Sequence, residues 1–110
     1  MSFEVKYTAG ARQDLRNIYE YIAYDLLVPE TAARQAQRIM KEIGALNEMP
    51  MRYRLYDDEP WHSQGVRFFP VNNYLVFYLP DETKNTVHIV RIIYGGRDIK
   101  KQLSETIIEY

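Results

Sequence analysis

The chain has 110 residues, a formal net charge of −1 and no cysteine. That length suits one domain able to bury a core without staples, and the missing cysteines exclude disulfides and thiolate metal sites. A protein that grips nucleic acid alone usually carries a net basic field, and this chain has none on average.

The opening residues, Ser2 to Tyr7, alternate Phe3, Val5 and Tyr7 against Ser2, Glu4 and Lys6, the period of a half-buried strand. Charges recur too often there for the apolar core of a signal peptide, and no later run approaches the roughly 20 apolar residues of a membrane span. A cytoplasmic protein without membrane partners is expected.

Thr8 is placed to cap a helix whose apolar stripe runs Ala11, Leu15, Ile18, Ile22 and Leu26, with Arg12, Arg16, Asn17 and Glu20 on the wet side. Pro29 breaks that helix and opens a second one, striped by Ala32, Ala36, Ile39, Met40, Ile43 and Leu46. So short a connection predicts an antiparallel helix hairpin, with Ala32, Ala33 and Ala36 allowing close approach near the bend.

Residues 50 to 65 lose all periodicity and read as a loop. Three strands follow, over 66–71, 74–79 and 87–94. Pro70 disfavours a central place for the first. The turn from Pro80 to Asn85 joins the other two as a hairpin, and Gly95-Gly96 ends it. Ile99, Leu103 and Ile107 suggest a short terminal helix. The whole is one α+β domain over 1–110: an N-terminal strand, an antiparallel helix hairpin, a three-stranded antiparallel sheet and a short C-terminal helix.

Strands 74–79 and 87–94 are apolar on both faces, so both faces need cover. The helix hairpin covers one. The other is shielded by the C-terminal segment or forms a berth for a partner protein, and the expectation carried forward is that so small a chain cannot hide both.

Chemistry is sparse. No phosphate loop, nucleophile elbow or His-Glu-x-x-His motif occurs. His62 and His88 lie far apart, Asp57, Asp58 and Glu59 read as solvated loop acids, and neither a metal nor a nucleotide cofactor is expected. The arginines stand out. Arg67 and Arg91 lie inside strands, and Arg97 follows the paired glycines. By simple alternation Arg91 shares a face with Val87, Ile89 and Ile93, so it requires a carboxylate (Asp98 or one of residues 57–59), a carbonyl or an external phosphate. Tyr94 is the one nearby group able to exchange a proton, given cationic neighbours; otherwise its ring simply packs at the strand end.

Together these segments resemble a known family. Asp14-Leu15, Ile18-Tyr19 and Tyr21-Ile22, then Ala32-Ala33, Ala36 and Ile39, then Leu46 and Met49-Pro50, resemble the helix hairpin of ParE-type toxins. Val66-Arg67, Phe69-Pro70-Val71 and Tyr74 through Tyr78, followed by Val87, Ile89, Arg91 through Gly95 and Arg97-Asp98, resemble the sheet of the wider RelE/ParE superfamily. The likeness covers nearly the whole chain and rests on the order of short motifs.

It implies the toxin of a type II toxin–antitoxin pair, neutralised by a cognate antitoxin whose flexible segment covers apolar grooves, with operator DNA bound only through the antitoxin. RelE-like members cleave mRNA in the ribosomal A site without metal. On that branch Arg67 and Arg91 would hold the phosphate, Arg97 would assist and Tyr94 would transfer the proton. The cleaving members are usually strongly basic, and several carry a histidine near the last strand's end; this chain departs on both points. ParE-like members bind and trap DNA gyrase with no identified catalytic set, and the charge balance and helix motif lean that way. A binding module without toxicity is the remaining class.

Overall fold

In the computed structural model, which describes residues 2–106, the first strand, β1 (Glu4–Tyr7), exposes Glu4 and Lys6 and half-buries Val5 and Tyr7. Thr8 follows in extended conformation. Its Oγ1 accepts the Ala11 N–H at 3.2 Å and faces the carbonyls of Ile89 and Val90 at 2.9 and 3.0 Å. One buried hydroxyl thus caps α1 (Ala9–Glu20) and ties its start to the last strand.

The expected stripe of α1 holds through Ile18 and Ile22 and then fails. A π-helical turn, Tyr21–Asp25, adds a residue to the turn, and Leu26 emerges 53% exposed instead of buried. The second helix, α2 (Pro29–Gly44), starts on its proline and buries Ala32, Ala36, Ile39 and Ile43. Met40, expected on that stripe, is 44% exposed, and Leu46 is fully buried from a 3-10 turn beyond the helix end.

The sheet is larger than expected. Strands β2 (Arg67–Val71), β3 (Tyr74–Asp81) and β4 (Thr86–Tyr94) form the antiparallel part, and β1 adds to β4 in parallel, giving the order β1-β4-β3-β2. The predicted hairpin between residues 74 and 94 is present. Pro70 sits on an edge strand, where its missing N–H is tolerated. A bulge interrupts the hairpin: Phe77 stands opposite Arg91 and Tyr78 opposite Ile89, leaving Val90 as the extra residue.

That bulge splits the apolar residues of β4 between two cores. Val87, Ile89 and Ile92 join Val76, Tyr78, Ile39, Ile43 and Leu46 between the sheet and the helix hairpin. Val90 and Ile93 join Phe77, Val66 and Leu103 on the opposite face.

The second face overturns the expectation of a vacant berth. The stretch read as a loop folds over it, with a short antiparallel bridge between Leu55 and Arg67 and a one-turn helix, α3 (Trp61–Gln64). Tyr56, Trp61 and Phe68 pack there. A terminal helix, α4 (Ile99–Ser104), capped by the Asp98 side chain on the Lys101 N–H at 3.2 Å, completes the cover with Leu103 at 0% exposure. Each such buried aliphatic side chain contributes about 1.5–3 kcal/mol. Both faces of the hairpin are therefore blanketed by the chain's own residues. Ile107, assigned to the terminal helix from sequence, lies outside the described residues.

Candidate functional site

The bulge also decides where Arg91 goes. Directly opposed residues share a face, so Arg91 lies on the side of Phe77, away from Val87 and Ile89, and simple alternation misplaces it. Its counter-ion is neither Asp98 nor one of residues 57–59. Arg91 Nε and Nη2 donate to the two carboxylate oxygens of Asp14 in α1, at 2.6 and 3.0 Å. Nη1 donates to the Gln102 carbonyl at 3.2 Å and to Thr106 Oγ1 at 2.9 Å. The guanidinium is thereby spent on α1 and the C-terminal helix region.

Asp14 does a second job. Parallel pairing of β1 with β4 ends at Ile89, so the next outward-facing amide of β4 lacks a strand partner. Asp14 Oδ2 accepts that amide, Ile92 N–H, at 2.9 Å. A buried backbone donor is satisfied and an arginine is neutralised by one carboxylate.

Arg67 stands opposite Tyr78, on the helix-hairpin face. Its Nη1 donates to the carbonyls of Met51 and Tyr53 at 3.1 and 2.6 Å. Tyr78 is fully buried and donates to the Pro50 carbonyl at 2.6 Å. Burial pushes the Tyr78 phenol up to about 12, against a smaller pull downward from the Arg67 charge. Arg67 and Tyr78 together pin residues 50–53 to the sheet.

Tyr94 and Arg97 lie elsewhere, at the exposed end of β4. The Arg97 N–H donates to the Tyr94 carbonyl at 3.0 Å, and the Arg97 side chain is exposed. The Tyr94 ring is 46% exposed and meets Tyr74 edge to face at 5.8 Å. Tyr74 has its phenol raised by burial first, then by the neighbouring Tyr94 and Tyr21 phenols. A shallow cleft of about 260 Å³ opens here, lined by Asn72, Asn73, Tyr74, Leu75, Tyr94, Gly95 and Gly96. Gly96 lets the Tyr94 ring lie against the rim: a Cβ there would come within 2.6 Å of a ring carbon, so the ring would have to shift.

Of the four residues expected to converge, Tyr94 and Arg97 are neighbours, while Arg67 and Arg91 occupy opposite faces, Arg91 donating from all three nitrogens and Arg67 from Nη1 to groups of the protein itself. The loop acids also separate: Asp57 meets Arg54 at 3.9 Å, Asp58 meets Lys100 at 3.7 Å, and Glu59 accepts from Ser63. The structural weight of Asp14 was missed; its place inside the resembling Asp14-Leu15 segment was the available signal.

Solved structures share this architecture. The chromosomal ParDE system from P. aeruginosa contains a chain 23% identical with a TM-score of 0.69, covering 84% of this chain and 96% of that one. A chain of the toxin–antitoxin complex RelBE2 from Mycobacterium tuberculosis is 22% identical, TM-score 0.60, covering 86% and 99%. One from the archaeal RelE–RelB complex of Pyrococcus horikoshii OT3 is 13% identical, TM-score 0.57, covering 89% and 100%. At these identities the likeness speaks for the fold. No curated protein matches the chain significantly. The family model described as "ParE toxin of type II toxin-antitoxin system, parDE" matches residues 5–99, from the first strand to the start of α4. With that span of the fold accounted for, the chain belongs to the ParE toxin family, within the RelE/ParE superfamily.

Proposed function

We propose that this toxin arrests growth by binding DNA gyrase rather than by cutting RNA, and that a cognate antitoxin neutralises it. The observation that carries the choice of target is the engagement of Arg67 and Arg91. RNA cleavage without metal calls for cations gathered around one phosphate beside a proton donor. Here the two strand arginines serve carbonyls and a carboxylate on opposite faces of the sheet. The net charge of −1 also argues against a surface that holds RNA by charge alone. Membership of the ParE family supports the same reading, and the antitoxin partner is carried over from the complexes that share the fold.

The test is a supercoiling assay with purified toxin. Gyrase activity is expected to fall as toxin is added and to recover on addition of antitoxin. Unchanged supercoiling at excess toxin refutes the proposal.

The second reading, ribosome-dependent cleavage, draws on one feature: Tyr94 and Arg97 are exposed side by side at a strand end. It predicts new mRNA ends in the A site after induction, which mapping of transcript ends detects. A module without toxicity predicts unimpaired growth on induction.

A further inference from the structure

The tip of the helix hairpin carries an apolar surface with its own charge signature. Between α1 and α2 the chain exposes Tyr21, Tyr24, Leu26, Leu27 and Val28 by 53%, 68%, 53%, 77% and 42%. Two backbone irregularities present them. The π-helical turn keeps Ile22 and Ala23 buried while Tyr21 and Tyr24 face outward, and such turns recur at functional sites. Leu27 then adopts a left-handed φ of 59°, a region that a leucine rarely occupies, with the highest exposure of any large apolar side chain described.

The charges carried by residues 17–33 share one sign, and Arg34, just beyond them, donates from Nη2 to Thr31 Oγ1 at 3.2 Å. Glu20, Asp25 and Glu30 are all exposed, and no lysine or arginine occurs between Arg16 and Arg34. Such a patch repels nucleic acid and anionic lipid. It also repels a second copy of itself, which would bring the same three carboxylates face to face. What it complements is a polypeptide with apolar anchors and basic flanks.

We infer that the hairpin tip is a docking site for a basic, amphipathic segment of the cognate antitoxin, its apolar side chains over Tyr24 and Leu27 and its cations against Glu20, Asp25 and Glu30. The inference rests on the toxin–antitoxin reading above. An antitoxin fits better than the toxin's target because the patch needs lasting cover. Bare, a Leu-Leu-Val tip beside two tyrosines invites non-specific adhesion to other proteins, and a target engaged only during intoxication would leave it bare.

The experiment titrates purified antitoxin, expressed from an antitoxin gene adjoining the toxin gene, against the parent toxin and two variants of it. Leu27→Gly removes the anchor and suits the left-handed backbone, so its melting temperature should equal or exceed that of the parent. Its antitoxin Kd should rise at least about tenfold, as for loss of an interface anchor. The charge-reversed variant E20K/D25K/E30K should also bind more weakly, and its affinity should depend less steeply on salt. Both should still arrest growth when antitoxin is absent.

Equal binding by parent and variants overturns the inference and leaves the toxin–antitoxin reading standing. Antitoxin binding intact with growth arrest lost assigns the tip to the target and likewise overturns it. Failure of the parent itself to bind, or the absence of an adjoining antitoxin gene, removes both readings together.

Discussion

Asp14 and Arg91, 77 residues apart in sequence, meet through two hydrogen bonds with side chains only 12% and 17% exposed. The pair joins α1, β4 and, through Gln102 and Thr106, the C-terminal helix region. Removing one partner strands the other charge in a poorly solvated place, which costs about 3 kcal/mol or more. Asp14→Ala also orphans the Ile92 amide. Each single alanine variant should therefore lose about 3 kcal/mol of unfolding free energy in urea. The double variant should lose less than the sum, because the second change removes the charge the first left unpaired. Strict additivity would mean that the two residues do not act as a pair.

The parts of this arrangement legible in the sequence are those encoded locally. The periodicity of α2, the alternation of β1, the Thr8 cap and the hairpin over 74–94 all depend on neighbours within a few residues. Pairing of β1 with β4 does not: a period of two shows that a strand has a buried face and is silent on its partner. The bulge at Val90 was hidden because Val87 through Ile93 is apolar at nearly every position, so shifting the phase by one changes nothing in the pattern. The cover over the second face was hidden for the opposite reason. Tyr56 and Trp61 sit in an irregular stretch whose spacing repeats nothing, and only the fold brings them onto Phe77 and Leu103. The candidate site suffered from both effects, since the face of Arg91 hangs on the bulge.

Arg67 and Arg97 should behave as opposites. Arg67 donates to two carbonyls in the turn at 51–53, so Arg67→Ala should destabilise the fold by about 1–3 kcal/mol through unpaired acceptors. Arg97→Ala and Tyr94→Phe alter an exposed strand end and should leave stability within about 0.5 kcal/mol. If gyrase is the target and the strand-end pair is not catalytic, growth inhibition by the last two should stay within about twofold of the parent. A loss of about a hundredfold or more in either, with the melting curve unchanged, would favour the RNA-cleaving reading.

The acid side of the stability profile should carry a histidine signature. His88 is held below its ordinary 6.5, first by burial and then by the Lys6 and Lys84 charges, against an opposing pull from Asp81. A depressed folded value means that the unfolded chain binds the proton first. This contribution is therefore fully present above pH 6.5 and is lost as pH falls below that value toward the folded-state one. Its size is small, because the ring is only partly buried. In His88→Gln, the pH dependence of the urea midpoint should flatten below 6.5. A parent protein that gains stability on acidification through this window, with the gain abolished by the substitution, would reverse the assigned sign.

Leu103 tests whether the second face is held shut by the chain itself. Its side chain is fully buried against Val90, Ile93, Phe77 and Val66, and it belongs to the six-residue helix α4 (Ile99–Ser104). Leu103→Ala should cost about 2–5 kcal/mol, the transfer loss plus the cavity it leaves. Leu103→Asp places a carboxylate in that cluster and should detach α4 rather than ionise in place. Trp61, the one tryptophan in the sequence, packs on the same cluster and reports the event. Its emission should shift to the red in Leu103→Asp at denaturant concentrations where the parent is fully folded, with far-ultraviolet dichroism largely kept. The Asp14–Arg91 pair would survive with the Arg91 contacts to Gln102 in α4 and to Thr106 just beyond it lost, so the main core between sheet and helix hairpin should still unfold cooperatively. Were the Trp61 emission to stay at the parent's wavelength, α4 would not be what seals this face, and the cover would have to come from residues 54–68 alone.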